Sequence, residues 1–248
     1  MRSQPVFALY SIPRSIDSTH RRNSSKLYSS IIVMSDLRLK SPFSMIVASP
    51  SKSGKTTWVG QLLQRRNDYF ETPPSEVYYF FNMWSPTFDT WKEKNIVTSF
   101  VKGMCTREWL EEKSVLGKKP MLIVLDDQAM NITKDIAEIF AVASHQHSID
   151  FILLAQNIFT KNKYFRDASL NTTYIVLGKN PRDQSSIRFL SQQMMPGKSK
   201  EIADAYAMAT RSPYSFFFMD FNQTCPEHLR LRGHYLSTSS PMTAYIKK

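Results

Sequence analysis

Eight consecutive residues after an apolar run carry the clearest chemistry in the chain: Ser49-Pro50-Ser51-Lys52-Ser53-Gly54-Lys55-Thr56, followed by Thr57. The pattern is G-x-x-x-x-G-K-[ST] with Ser at the first glycine position. Such a loop binds phosphate because its backbone N–H groups ring the β-phosphate while the next helix turns its positive end toward the same oxygens. Gly54 lets the backbone approach without a Cβ. Lys55 is expected to reach the β- and γ-phosphates of ATP, and the Thr56 hydroxyl to ligate Mg2+. Ser49 lacks the φ freedom of glycine, and Pro50 has no N–H and holds Ser49 extended. The first turn of this loop must therefore be built differently from the usual one.

A second constellation follows the apolar run Met121 to Leu125, which ends in Asp126-Asp127. Ligands of a parallel sheet sit at the carboxyl ends of its strands, so this pair is expected beside the phosphate loop. Asp126 would hold the metal through its water shell, and Asp127 would orient or deprotonate the attacking water. Two acids after a strand can also simply cap a helix; the neighbouring phosphate loop favours the catalytic reading. The run Phe151 to Ala155 ends in Gln156-Asn157. An amide donates and accepts, so Gln156, and less clearly Asn157, could sense the γ-phosphate.

These groups need a scaffold that brings strand ends together. From Pro42 on, apolar runs of strand length alternate with helical patterns, the signature of an α/β fold with a mostly parallel central sheet flanked by helices. Strands are expected at Phe43–Ala48, Val77–Asn82, Met121–Asp126, Phe151–Gln156, Thr172–Leu177 and Tyr214–Asp220. Helices are expected at Lys55–Asn67, Arg107–Lys113, Ile132–His145, Ser185–Gln193 and Lys198–Thr210. Residues 1–41, rich in Ser and Arg, read as a weakly ordered basic arm, and 42–248 as one P-loop domain. An arm of this composition also suits a transit peptide or a nucleic-acid-binding tail.

No apolar run approaches the roughly eighteen residues of a membrane helix, so no membrane partner is expected. Cys105 and Cys225 lack metal-ligand or disulfide spacing, and the chain reads as intracellular. A formal charge of +11 implies an acidic partner, for which nucleic acid is the leading candidate. His145 and His147 have no third ligand at compatible spacing and read as helix-end cations.

Taken together, Ser49–Thr57, Leu122–Gln128, Ser144–Asn157 and Tyr174–Asp183 resemble the FtsK/HerA superfamily, within it the viral genome-packaging ATPases of the poxvirus-like and Polinton-like kind. The Ala155-Gln156-Asn157 ending and the I-V-L-G-K-N-P-R-D stretch at 175–183 are more specific than the phosphate loop. The similarity covers roughly residues 43 to 235. It implies a RecA-like P-loop fold and a homo-oligomeric ring, usually a hexamer. It also implies ATP-driven threading of double-stranded DNA into a viral capsid, with a capsid or portal component as partner, in the host nucleus or a cytoplasmic virus factory. Many members carry Glu where this chain has Asp127, one methylene shorter.

In such a ring an arginine from a neighbouring subunit completes the site. Arg166, Arg182 and Arg188 are the candidates. Arg182 ranks first because Asn180-Pro181 makes a stiff turn that presents it outward. Lys161, Lys163 and Arg166, interleaved with Phe159, Tyr164 and Phe165, read as a phosphate-contacting cluster whose aromatics anchor the loop in the core. Arg211, Arg230 and Arg232 are further cations, each open to reading as a DNA contact, an intersubunit finger or a plain surface charge, the last being the default. Three alternatives remain open: another FtsK/HerA-like DNA pump, a P-loop nucleotide kinase with Arg182 and Arg188 as a lid, or a DNA-binding module that keeps nucleotide as a structural ligand. A GTPase is disfavoured because Asn162-Lys163 is followed by Tyr164-Phe165, which leaves no N-K-x-D.

Overall fold

The computed structural model describes residues 7–12, 37–116, 120–138, 140, 149–183, 185–194 and 196–247. Its centre is one ten-stranded sheet, in the order β1-β10-β9-β8-β7-β2-β6-β5-β3-β4. The strands are β1 Phe7–Ile12, β2 Ser44–Ala48, β3 Glu76–Phe81, β4 Ser99–Lys102, β5 Met121–Asp126, β6 Ile149–Ala155, β7 Tyr174–Gly178, β8 Phe216–Asp220, β9 Leu231–Gly233 and β10 Met242–Lys247. The strands from β7 to β4 pair in parallel. β8, β9, β10 and β1 extend the sheet antiparallel.

The interior parallel strands β2, β5, β6 and β7 read as nearly continuous apolar runs because helices cover both faces, whereas the edge strand β4 is only partly buried. Side chains alternate between those faces. Met45, Val47, Leu122, Val124, Ile152 and Leu154 enter one core, and Ile46, Ala48, Ile123, Leu125, Phe151 and Leu153 the other. The first core is closed by α1 (Lys55–Gln64) through Trp58, Val59, Leu62 and Leu63, by α2 (Arg66–Tyr69), and by α3 (Pro86–Glu93) through Phe88 and Trp91. The second is closed by α4 (Arg107–Leu116), α5 (Lys134–Glu138), α6 (Lys163–Leu170), α7 (Ser185–Met194) and α8 (Ser199–Ala209). Among the described residues no helix is long and apolar enough to cross a membrane.

The sequence expectations for β2, β3, β5, β6, β7 and β8 agree with the structure to within a few residues. The helix expected over Ile132–His145 is described as α5 alone, and His145 and His147 lie outside the described residues. β4, β9, β10, α3 and α6 are additions. So is β1, inside the stretch expected as an arm, which pairs with β10 at the other end of the chain. Leu39, just before the expected domain start, is fully buried and bridges to Phe70, and Ser41 donates to Asp150 Oδ2 at 2.7 Å. Packing therefore begins earlier than residue 42.

Two cations counted above as possible surface contacts hold the antiparallel extension together. Arg232 is 2% exposed, bonds Asp220 Oδ2 at 2.6 Å and the Leu229 carbonyl, and lies over the Phe218 ring. A charge this deep is tolerated because it is paired and hydrogen-bonded. Arg230 is half-buried and clamps the Asp220 and Asn222 carbonyls while pairing with Glu227.

Candidate functional site

The register of the parallel strands brings the sequence-predicted groups to one rim. Ala48 of β2 faces Ala155 of β6, and Leu154 of β6 faces Asp126 of β5. The residues that follow, Ser49, Gln156 and Asp127, therefore emerge side by side at the carboxyl ends of three adjacent strands. β6, with its amide, stands between the phosphate loop and the acids.

The loop solves the problem posed by Ser49 and Pro50 through its carbonyls. Ser49 N–H donates to the Ala155 carbonyl at 3.1 Å, tying the loop's start to β6. The Pro50 carbonyl accepts from Ser53 N–H at 3.3 Å and from Lys55 Nζ at 2.9 Å, and Lys55 Nζ also donates to the Ser49 carbonyl. Lys52 and Gly54 take positive φ, 61° and 89°. Gly54 is the N-cap of α1, with no side-chain cap and no acid in the first turn, so the first N–H groups stay available to an anion. A cavity of about 540 Å³ lies over Lys52–Thr57 and is walled on one side by Tyr214.

Ser49 itself is buried, and its Oγ has no hydrogen-bond partner among the described residues. Its side chain fits because β7 has a glycine opposite. A Cβ on Gly178 would come within 2.8 Å of Ser49 Cβ and 2.9 Å of Phe216 Cε1, and closer still to Ser49 Oγ. The glycine missing from the first motif position is in effect moved onto the neighbouring strand. Sequence reasoning missed Gly178, although it lies within the stretch 175–183 on which the family resemblance partly rests.

The acids occupy different surroundings. Asp126 is largely buried and accepts a 2.6 Å bond from the hydroxyl of Tyr79, whose phenol also feels the nearby Thr56 side chain. Burial, then the Asp126 charge, raise the Tyr79 phenol well above its ordinary range, so it remains a donor. Burial also raises the Asp126 carboxyl, helped by Asp127 and opposed by the Tyr79 bond and the Lys55 charge. Burial lowers the Lys55 ammonium, and the attraction of Asp126 and Asp127 works against that. Thr56, Asp126 and Lys55 thus form one electrostatic unit, tied at its base by Tyr79, a residue absent from the sequence reading.

Asp127 is exposed and takes φ 55°, a left-handed conformation that Asp tolerates better than most residues. Its carboxylate accepts from Gln156 Nε2 at 3.1 and 3.3 Å, and Asn82 Nδ2 donates to its carbonyl at 3.3 Å. The structure therefore joins Asp127 and Gln156 directly. Asn157 instead turns away: it donates to Asp183 at 2.9 Å and accepts from Ser186 and from Phe159 N–H. Bonds from Ser186, Ser185 and Asn157 hold the Asp183 carboxyl far below the usual carboxylate range. That network fixes the turn after β7. Asn157 serves as a brace there.

Arg182 sits in the same turn, exposed, with its N–H held by Asn180 Oδ1 at 3.2 Å. Asn180 and Asp183 line a small cleft shared with Ser49, Gln156 and Gly178, so Arg182 emerges beside the chain's own phosphate loop, in the turn that follows the interior strand β7. Arg166 and Arg188 are exposed on α6 and α7. Phe165 is fully buried, as the core-anchor reading of that cluster expects. Phe159 is 37% exposed against Phe189.

No protein-family model matches the chain, and no curated protein sequence matches it. Among solved structures it is similar to the genome-packaging NTPase B204 from Sulfolobus turreted icosahedral virus 2 in complex with ATP-γS, with 12% identity and a TM-score of 0.48 over 84% of this chain and 98% of that one. It is also similar to the cytoplasmic domain of the Thermomonospora curvata Type VII secretion ATPase EccC, with 12% identity and a TM-score of 0.47 over 82% of this chain and 25% of that one. A third is the pCW3 conjugation coupling protein TcpA with ATPγS, with 13% identity and a TM-score of 0.45 over 73% of this chain and 58% of that one. By its own strand order, and by the loop that ends its central strand β2, the chain has the α/β fold of a P-loop NTPase.

Proposed function

We propose that the chain hydrolyses ATP and uses the energy to move double-stranded DNA, as a homo-oligomeric ring that packages a viral genome. The observation that carries the ATPase reading is the convergence on one rim of an uncapped helix N-terminus, Lys55, Thr56, Asp126 and the Asp127–Gln156 pair. The backbone N–H groups of Ser51–Thr57 bind the phosphates, and Lys55 transfers from the loop carbonyls to the β- and γ-oxygens. Thr56 and Asp126, both beside the Tyr79 hydroxyl, suit Mg2+, a hard cation that needs only one or two protein oxygens besides water and phosphate. Bound there, the ion would neutralise charge building on the phosphoryl oxygens. Asp127, oriented by Gln156, takes the proton of the attacking water as its oxygen bonds the γ-phosphorus. The bond to the β–γ bridging oxygen then breaks and ADP leaves.

The DNA and ring parts of the proposal rest on the resemblance of the motifs and on the +11 charge. Exposed Lys161, Lys163 and Arg166 supply phosphate contacts near the site, Arg182 is the finger offered to the next subunit, and a capsid or portal component is the docking partner. The test is ATP turnover with and without duplex DNA across a salt series. Stimulation that is independent of DNA sequence and falls steeply with salt is expected from counterion release. Phosphate transfer to a nucleoside monophosphate without any DNA effect would replace the motor by a nucleotide kinase. A flat salt response with strong dependence on one sequence would replace it by a specific DNA-binding module.

A further inference from the structure

Between α8 and β8 the chain turns through Ser212-Pro213-Tyr214-Ser215, with the Ser215 N–H and hydroxyl both donating to the Ser212 carbonyl. Proline at the second position and a positive φ at the third are the features of a type II turn, whose third position favours Gly or Asn. Here it is a tyrosine with φ 58°. A bulky side chain in that region is strained, and such strain persists only where something offsets it. Packing within the chain offsets little, because Tyr214 is 74% exposed.

The exposed ring nevertheless has a defined place. It stands over the phosphate loop, with its Cδ1 3.2 Å from where a Cβ on Gly54 would lie. On one side it walls the cavity above Lys52–Thr57. On the other it walls a groove of about 270 Å³ whose lining includes Gln61, Ser212, Ser237 and Ser239. One aromatic ring is thus common to the phosphate cavity and to a polar groove beside it. A flat π-surface next to a triphosphate site, backed by amide and hydroxyl groups that each donate and accept, matches a nucleobase and its ribose.

We propose that Tyr214 is the platform on which the base of the bound nucleoside triphosphate stacks, with the base and sugar lying in the groove toward Gln61 and Ser237. This rests on the reading of the phosphate loop as the triphosphate site. The strained turn keeps the ring in place before the ligand arrives, so little side-chain freedom is lost on binding.

The test compares equilibrium binding of ATP and of inorganic tripolyphosphate, both with Mg2+, to the wild type, Tyr214→Phe, Tyr214→Ala and Tyr214→Gly. Tripolyphosphate has no base, so its Kd is expected to stay the same in all four proteins. The Kd for ATP is expected to rise about tenfold or more in the Ala and Gly variants and to stay near wild type in Phe, since an aromatic stack is sequence-tolerant but needs a ring. Tyr214→Gly also relieves the positive φ, so its Tm is expected at or above that of the wild type even as ATP affinity falls. Unchanged ATP affinity in Tyr214→Ala and Tyr214→Gly, or equal weakening of ATP and tripolyphosphate, would overturn the platform while leaving the phosphate site standing. A wild type that binds neither ligand would overturn both.

Discussion

Placing a methyl group on Gly178 should disable the phosphate loop from the neighbouring strand. The new Cβ would lie 2.8 Å from Ser49 Cβ and 2.9 Å from Phe216 Cε1. Carbon contacts are comfortable at about 3.5–4.0 Å, so close to 1 Å of relief is needed. β7 cannot retreat easily, because it is paired to β2 through Val47↔Val176 and Ala48↔Leu177. Ser49 must then move, and it carries both the tie to Ala155 and a carbonyl that holds Lys55. Overpacking of this kind costs about 1–3 kcal/mol, or roughly 2–12 °C of Tm in a domain of this size. Misplacing a catalytic loop by about 1 Å can lower the rate roughly a hundredfold.

Ser49→Gly removes both Ser49 contacts at once. Alone it should be nearly neutral, since it deletes a buried hydroxyl that lacks a partner and adds about 0.5–1 kcal/mol of chain freedom. The double variant should therefore recover Tm and ATP turnover relative to Gly178→Ala, with a coupling energy of about 0.5–3 kcal/mol in the cycle. Thermal denaturation and phosphate release on all four proteins give the measurement. A Gly178→Ala protein as stable and active as the wild type, or a double variant no better than Gly178→Ala, would refute the argument.

Asp127→Asn should keep Mg·ATP binding, since Thr56 and Asp126 are untouched, while turnover falls by about a hundredfold or more for want of a base; Asp126→Asn should weaken the metal-dependent binding itself. Asp150 is buried and pushed up to about 7, against 3.8 for an ordinary Asp, because desolvation outweighs the bonds from Ser41 and Phe43 N–H. Its native state holds a proton that the unfolded state has lost, so its contribution is full below pH 3.8 and is lost as pH rises through about 7. Asp150→Asn, which retains an acceptor for Phe43 N–H, should be more stable than wild type at pH 8 by chemical denaturation, with the difference shrinking toward pH 5; a pH-independent difference would contradict this. For Arg182, inactive Arg182→Ala mixed with Lys55→Ala should regain turnover if the arginine acts across a subunit junction. No recovery in mixed rings that still bind ATP would assign it to its own subunit's site, beside which the structure places its turn.

The parallel strands β2, β3, β5, β6 and β7 were legible because buried strands announce themselves as apolar runs, as Met121–Leu125 and Phe151–Ala155 do; β4, a partly buried four-residue edge strand, was not. β9 and β10 were not, since a three-residue strand such as Leu231–Gly233 owes its pairing to contacts distant in sequence. Two missed helices had signals in plain view. Ser85-Pro86 places a cap and an N1 proline before α3, and Asn162 caps α6 by accepting from Tyr164 and Phe165 N–H. In the site, the motif residues were readable one by one, but their partners were not. Tyr79 binds Asp126 from a strand whose apolar pattern gave no reason to single out one hydroxyl. Gly178 answers Ser49 from a strand that becomes its neighbour only through the β2–β7 pairing.

The most direct test of the central claim is phosphate release from ATP, with Mg2+ and duplex DNA present, by the wild type and by Lys55→Ala. Lys55 is partly exposed at the cavity and bonded to loop carbonyls, so its removal should leave the circular dichroism spectrum and thermal transition in place. Turnover by the wild type and its loss to background in a folded Lys55→Ala protein is the predicted result. Equal turnover by the two proteins, or none by a folded wild type, would contradict the account.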